Sequence, residues 1–169
     1  MATVKAANIT NLDATPRVAV SARLHGATTR TVVDTVSLTP AASDIILLAR
    51  IPVEATLLSV KVASDDLAST SGNMKLGFYT ATTASGVAGT VLDEDAIATT
   101  IDISGALGMT EYRFDTLAIE TIQQPVWDLA TLTARPEYDY IDVVATISAI
   151  SGPLAGDVSC IVEYAEASN

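Results

Sequence analysis

Few residues in this 169-residue chain have the type and spacing that catalysis requires. The sequence contains one histidine, His25, and one cysteine, Cys160. A single histidine lacks the partners that a metal centre or a catalytic triad needs. Cys160 lies between Val158 and Val162 at strand spacing, which is typical of a small core residue rather than of a reactive thiol. Neither residue therefore predicts nucleophilic or metal chemistry.

The short motifs of common enzymes and phosphate-binding loops are also absent. The sequence has no Cys-x-x-Cys, His-Glu-x-x-His or Gly-x-Ser-x-Gly motif. Residues 86–89, Gly-Val-Ala-Gly, are too few for a phosphate loop and lack its lysine. These absences predict a protein that is not an enzyme and that uses no cofactor.

Carboxylates are the one reactive group present in number. Residues 65–66 and 93–95 are runs of adjacent acids, and such runs are more typical of a solvated surface than of the separated pair that a glycosidase needs. Calcium binding at residues 93–95 is a weaker alternative, because the alternating ligands of an EF-hand loop are missing. We therefore expect no metal ligands and no catalytic residues.

The net charge of −11, with an isoelectric point near 4.2, argues against nucleic acids and anionic membranes as partners. The charge is unevenly distributed along the chain. Residues 1–84 contain seven basic and six acidic residues, whereas residues 85–169 contain two basic and fourteen acidic ones. Chance together with a solvated acidic surface explains this asymmetry as well as a binding role does.

The first 30 residues are basic in an otherwise acidic chain. Asp13 is their only acidic residue. The sharper interpretation is a basic arm that docks on an acidic neighbour, since arginine suits carboxylates at interfaces. The candidate partner-binding residues are Lys5, Arg17, Arg23 and Arg30.

No segment has the length of a membrane span. The longest apolar runs, residues 45–49 and 143–150, are far shorter than the ~20 residues that a spanning helix requires. The first residues lack the continuous apolar core of a signal peptide. We therefore expect synthesis in the cytoplasm.

Alternation of apolar and polar residues predicts strands along most of the chain. Residues 1–30 show no sustained period and are expected to form an extended arm, with one strand at 17–24; residues 31–169 are expected to form one domain. The segment 44–51 is apolar on both faces and predicts a fully buried strand. Leu58, Val60 and Val62 are expected on one face of the next strand. Loops are expected at 65–72 and 82–89. The other predicted strands are 31–38, 56–63, 74–79, 100–103, 111–115, 140–150 and 157–165.

Two short helices are expected among these strands. Residues 92–99 begin with acids, which suit a helix N-terminus, and residues 121–132 have apolar residues at helical spacing with Pro125 near the first turn. The last two strands are expected to pair as an antiparallel hairpin through a turn at Gly152. About eight strands with one or two short helices predict a mainly β fold, an antiparallel β-sandwich of jelly-roll type.

Eight segments, in their order and spacing, resemble a family of tailed-phage virion proteins that are commonly encoded near the major capsid protein. They include Asn-Met-Lys-Leu-Gly-Phe-Tyr at 73–79 and Val-Trp-Asp-Leu-Ala at 126–130. Some members resemble capsid decoration, or cement, proteins. The remaining segments are 9–16, 44–52, 55–59, 93–98, 101–104 and 132–133.

The resemblance implies a small β-sandwich on the exterior of an icosahedral capsid, where it binds the major capsid protein. It also implies a homo-oligomer, most commonly a trimer that bridges neighbouring capsomers. The basic arm fits this role, because a segment that buries little of itself is suited to lie across a neighbour.

Two alternatives to the decoration role stay open. One is another virion component, at the head–tail junction or in the tail, which copy number per particle would distinguish. The other is a carbohydrate-binding jelly roll for host attachment, which would need exposed aromatic side chains. The available aromatics are Tyr79, Tyr112, Trp127, Tyr138 and Tyr140.

Overall fold

The structure, a computed structural model, describes residues 28–81, 89–112 and 124–166. Within these ranges the chain forms eight strands and one short helix, α1 (Val126–Leu129). The predicted strand at 17–24, the loop at 82–88 and residues 113–123 lie outside the described residues. The strands are β1 (Thr28–Leu38), β2 (Ile45–Pro52), β3 (Thr56–Ser64), β4 (Ala68–Thr80), β5 (Val91–Asp102), β6 (Leu107–Glu111), β7 (Tyr140–Pro153) and β8 (Gly156–Glu166).

The strands form two four-stranded sheets. Sheet A has the order β1-β8-β3-β6, and sheet B has the order β2-β7-β4-β5. Every neighbouring pair in both sheets is antiparallel. Only β4 and β5 are consecutive strands that pair with each other; every other connection crosses from one sheet to the other. The predicted antiparallel β-sandwich is confirmed.

The core lies between the two sheets and is built from alternate residues of their strands. Val158, Cys160 and Val162 of β8 are buried at the middle of sheet A. Ile141, Val143, Ala145 and Ile147 of β7 are buried opposite them at the middle of sheet B. Burial of this apolar surface is the main stabilising contribution. The largest fully buried side chains are Ile51, Leu57, Leu67, Met74, Leu76, Phe78, Ile97, Ile101 and Ile103, together with residues 53, 141 and 147.

The predicted pairing of the last two strands is wrong. β7 pairs with β2 and β4 in sheet B, whereas β8 pairs with β1 and β3 in sheet A. Gly152 has a φ of 64° and precedes the two-residue link, 154–155, that carries the chain across the core. Period-2 alternation gives each strand an inward face but does not say to which sheet the strand belongs.

The helix predicted at 92–99 is also wrong, because this segment belongs to β5. Its pairing with β4 is irregular: Leu76 pairs with Ala98 and Phe78 pairs with Asp93, so β5 has three more residues than β4 between these pairs. Such a bulge interrupts the alternation that identifies a strand. With the alternation lost, the acidic residues 93–95 favour the prediction of a helix N-terminus from the sequence alone.

Three smaller predictions also need correction. The loop expected at 65–72 comprises only residues 65–67, because β3 ends at Ser64 and β4 begins at Ala68. A register shift between Leu57 and Ser59 turns Leu57, rather than Leu58, fully into the core. The helix expected over 121–132 comprises only residues 126–129 in the described part, with Pro125 as its N-cap.

The bulge in β5 brings its backbone directly over Gly77 of β4. A β-carbon on Gly77 would lie 2.1 Å from the carbonyl oxygen of Asp93 and 2.4 Å from the carbonyl carbon of Glu94. Because these are backbone atoms, no side-chain rotation can relieve the contact. Only glycine allows this crossing without displacing β5.

We expect Gly77→Ala to lower the free energy of unfolding by about 1–3 kcal/mol, the usual range for an overpacked site. Urea denaturation followed by circular dichroism measures this loss. Gly108→Ala in β6 is the matched control, since a β-carbon there has no atom within 4 Å. Equal stabilities of the two variants would contradict the crossing of β5 over Gly77.

Candidate interaction surfaces

Of the four basic residues predicted to bind a partner, only Arg30 lies within the described residues. It is in β1, opposite Tyr164 of β8, and its Nε donates a hydrogen bond to Glu166 Oε2 at 3.2 Å. Both side chains are solvent-accessible, and an exposed ion pair contributes about 0–1 kcal/mol. Arg30 could therefore leave Glu166 and bind a partner's carboxylate at little cost in free energy. Lys5, Arg17 and Arg23 precede the described residues.

The end strands β1 and β2 lie on the same side of the sandwich, which we call the β1–β2 side. Both strands line a groove of about 300 Å³. β1 contributes Val32 and Asp34, β2 contributes residues 47–50, and Asp142 of β7 completes the groove. Because β1 and β2 come first in the strand order of their sheets, β6 and β5 lie on the opposite side, which we call the β5–β6 side.

A bidentate ion pair lies in this groove. Arg50 Nε and Nη2 donate hydrogen bonds to Asp142 Oδ1 at 2.7 Å and Oδ2 at 3.0 Å. The Asp142 side chain is 3% exposed, whereas that of Arg50 is 46% exposed. The hydrogen bond with Asp142 raises the pKa of the Arg50 guanidinium. This planar fork orders β2 against β7 at the edge of sheet B.

Loss of Arg50 would remove both hydrogen bonds of this bidentate pair from a carboxylate that is almost fully buried. We expect Arg50→Ala to lower the free energy of unfolding by about 1.5–3 kcal/mol, the usual contribution of a hydrogen bond to a charged group. Arg135→Ala is the matched control, because Arg135 Nε also lies 2.7 Å from a carboxylate oxygen but its partner, Glu54, is 43% exposed. Chemical denaturation should show little change for that control; equal losses would contradict the special role of burial at Asp142.

Exposed apolar side chains concentrate on the end strands. The structure describes seven large hydrophobic residues as exposed, and five of them belong to these four strands. The β1–β2 side carries Val33, Ile45 and Leu47, which are 69%, 41% and 38% exposed. The β5–β6 side carries Val91 and Met109, at 47% and 48%. The prediction that β2 is buried on both faces is therefore wrong.

The two sides differ in charge. β5 and β6 contain five carboxylates and no basic residue, whereas β1 and β2 contain two arginines and one aspartate. Lys75 of neighbouring β4 compensates part of this charge, with its Nζ 2.5 Å from Glu94 Oε1 and 3.5 Å from Asp95 Oδ2. Hydrogen bonds from Ser104 lower the pKa of Asp102, which keeps that carboxylate ionised. The β5–β6 side is thus acidic.

The acidic run 93–95 offers no cation site in this geometry. Burial raises the pKa of Asp93, whereas Glu94 and Asp95 point to Lys75. Among the residues that the structure describes, no three histidine, cysteine or acidic side chains are placed to hold a metal ion. In the same ranges, no helix is long and apolar enough to cross a membrane.

Most of the aromatic residues considered as sugar platforms are packed inside. Tyr79 and Tyr112 are buried, and the Tyr79 hydroxyl hydrogen-bonds Thr146 Oγ1 at 3.0 Å. Trp127 and Tyr138 pack against the core, and burial raises the pKa of Tyr138. Tyr140, at the start of β7, is the one exposed aromatic among the described residues. A single ring gives little basis for sugar stacking.

Cys160 is a core residue, as the sequence predicts. Its side chain is buried, and its Sγ donates a weak hydrogen bond to the Leu48 carbonyl oxygen at 3.4 Å. Burial raises the pKa of the thiol above its usual value near 9.0. The thiol therefore stays protonated and shielded in the folded protein.

We expect a thiol reagent such as dithionitrobenzoate to leave native Cys160 unmodified at neutral pH and to modify it fully in denaturant. Because the folded pKa is raised, folding favours the protonated thiol: its stabilising contribution is complete below pH 9 and is lost as the pH rises through the folded pKa. Cys160→Ala should remove this alkaline component of the stability curve. Rapid modification of the native thiol would contradict its burial.

Comparison with known proteins gives a structural match alone. No protein-family model and no curated protein matches the sequence. A chain in the structure "Capsid of Ralstonia phage GP4" has a TM-score of 0.57 at 16% identity, over 85% of this chain and 86% of that one. A chain in "Cyanophage Pam1 capsid asymmetric unit" has a TM-score of 0.51 at 16% identity, over 82% and 85%. At this identity the likeness establishes a shared fold.

Sequence reasoning missed the exposed apolar residues of the end strands. Val33, Ile45 and Leu47 are β-branched or aliphatic residues in strands, so they resemble core residues. Their exposure depends on the strand order in each sheet, which alternation does not encode. A signal was available in β1, where Val33 shares its face with four threonine and serine residues, Thr29, Thr31, Thr35 and Ser37.

Proposed function

We propose that this protein is a non-enzymatic structural component of a tailed-phage virion that binds the outer surface of the capsid and stabilises it as a decoration protein. The observation that carries the proposal is the likeness of the whole sandwich to chains in two phage capsid structures. The matches cover nearly equal shares of both chains, so the matched chains are similar in length to this one. A subunit of this size suits an accessory role on a shell.

The strand connectivity supports the same assignment. Eight antiparallel strands in the orders β1-β8-β3-β6 and β2-β7-β4-β5, with nearly every connection crossing between sheets, are the connectivity expected of a jelly roll. Jelly rolls are common in viral capsid and lectin domains. Of the five candidate sugar-stacking aromatics, two are buried, two are half-buried against the core and one, Tyr140, is exposed. This leaves the lectin alternative with a single exposed ring, so the capsid role is favoured.

The proposed partners are the major capsid protein and further copies of this chain, in a trimer that bridges capsomers. The proposed arm, residues 1–30, ends within β1, which begins at Thr28. Its Lys5, Arg17 and Arg23 would bind acidic groups on the shell, with Arg30 at its base. Several weak contacts from each oligomer add through effective concentration and resist the internal pressure of packaged DNA. The chain would be made in the host cytoplasm and act on the capsid exterior.

Binding to shells that lack the protein tests the decoration role. In a co-sedimentation titration to saturation, we expect a bound amount comparable to that of the major capsid protein. A stoichiometry of a few copies per particle would instead indicate a head–tail or tail component. Absence of binding would overturn the capsid role.

Removal of residues 1–25 tests the arm. We expect the shortened protein to keep the circular dichroism spectrum and unfolding transition of the full chain, because β1 begins at Thr28, and to lose most of its shell binding. Lys5→Gln, Arg17→Gln and Arg23→Gln combined should weaken binding and reduce its salt dependence. Lys61→Gln, on sheet A, is the single-charge control. Normal shell binding by the shortened protein would contradict the arm.

A further inference from the structure

The β1–β2 side and the β5–β6 side are opposite ends of the same sandwich, and their properties are complementary. Each side exposes apolar side chains on the end strands of both sheets. In sheet A these are Val33 on β1 and Met109 on β6; in sheet B they are Ile45 and Leu47 on β2 and Val91 on β5. Contiguous apolar groups at the edges of strands favour pairing with another strand. In the described residues none of these four end strands has a second neighbour.

Strand directions allow one copy to continue the sheets of the next. Because each sheet has four antiparallel strands, its two end strands run in opposite directions: β1 against β6, and β2 against β5. A second copy related by rotation about an axis along the strands would set its β1 antiparallel to β6 of the first. The same operation would set its β2 antiparallel to β5, so both sheets would extend together.

The exposed side chains of β1 and β6 lie on the same face of sheet A. Val33 pairs with Ile161, Ile161 pairs with Lys61, and Lys61 pairs with Glu111, so all four point away from the core. Met109 lies at the register shift between the Val62–Thr110 and Ser64–Leu107 pairs, and its 48% exposure places it on the outer face. With no shift along the strands, this row sets Val33 of one copy opposite Glu111 of the next. Met109 of that copy would then lie diagonally from Val33 and near the level of Thr35 on the outer face, within reach of a long side chain.

Charge favours the same arrangement. The acidic β5–β6 side carries Asp93, Glu94, Asp95, Asp102 and Glu111, and the β1–β2 side carries Arg30 and Arg50 with Asp34. Arg30 and Arg50 are paired with Glu166 and Asp142 of their own copy, so the β1–β2 side is nearly neutral. Two acidic β5–β6 sides would repel each other, and contact of an acidic side with the nearly neutral β1–β2 side avoids most of that repulsion. Contact between unlike sides is heterologous, and it closes into a ring when the rotation closes.

From this complementarity we propose that the protein assembles head to tail, with the β1–β2 side of each copy bound to the β5–β6 side of the next in a closed ring. The proposal rests on the homo-oligomer of the proposed function and identifies its interface. Sheet A would continue through β6 and the neighbour's β1, and sheet B through β5 and the neighbour's β2. Val33, Met109 and Arg30 are the residues on which the interface chiefly depends.

Engineered disulfides between copies test this geometry. Single variants with cysteine at 31, 33 or 35, the outward positions of β1, are each mixed with Met109→Cys and oxidised. A disulfide needs β-carbons about 3.5–4.5 Å apart, so at least one of the three positions should cross-link efficiently with residue 109. Wild-type protein, whose only cysteine is the buried Cys160, is the control and should not cross-link.

The pattern of cross-links distinguishes the possible assemblies. Head-to-tail contact predicts disulfides in the mixtures and none in any single variant alone. Cross-linking of Val33→Cys with itself would show a two-fold contact through β1 and overturn the proposal. No cross-link in any mixture, or a monomer in sedimentation equilibrium of the wild-type protein, would overturn it as well.

A double variant tests ring closure. It combines Met109→Cys with the one of Thr31→Cys, Val33→Cys and Thr35→Cys that cross-links best in the mixtures. We expect one covalent species at the mass of the native oligomer, which gives the number of subunits. An unlimited ladder of masses would show an open filament and overturn the ring. The shell-binding titration is an independent test. If the protein binds shells but these cross-links do not form, the decoration role stands and the ring is wrong. If the cross-linked ring forms but does not bind shells, the ring stands and the decoration role is wrong.

Discussion

Backbone hydrogen bonding in the two open sheets is the constraint on which the rest of this structure depends. Each inner strand is paired along both edges, but in the described part of the chain β1, β6, β2 and β5 are paired along only one. Unsatisfied backbone groups must find water, a covering segment or another chain. The exposed apolar side chains and the uneven charge are on these same four strands, so the features that suit association coincide with the edges that permit it.

The class of fold was predictable from the sequence, but the order and pairing of the strands were not. Alternation in β4, β7 and β8 was strong enough to place Phe78, Ile141 and Cys160 in the core, because half-buried strands impose a period of two. The assignment of strands to sheets depends on contacts between distant segments, and so β7 and β8 were paired with each other when they belong to different sheets. The bulge opposite Gly77 removed the period from β5, and its acids then suggested a helix.

The candidate site was less predictable than the fold for the same reason. Composition identified the basic N-terminal residues and the acidic second half, which are properties of the chain. Which carboxylates share a surface is a property of the strand order: residues 93–95 and 111 meet on one side only because β5 and β6 end their sheets on that side. Arg50 and Asp142 are 92 residues apart in sequence, and no spacing rule connects them.

The central place of β8 in sheet A has a consequence for the time at which the protein matures in the cell. β1 and β3 are joined only through β8, the last of the described strands to leave the ribosome. Until it is synthesised, sheet A exists as two separate parts, and the long-range contacts that close the sandwich form last and slowly. Sheet B has all four of its strands once β7 is made, so the β1 edge of sheet A is the last edge to form. Any contact that uses β1 as a paired edge therefore needs the complete set of strands.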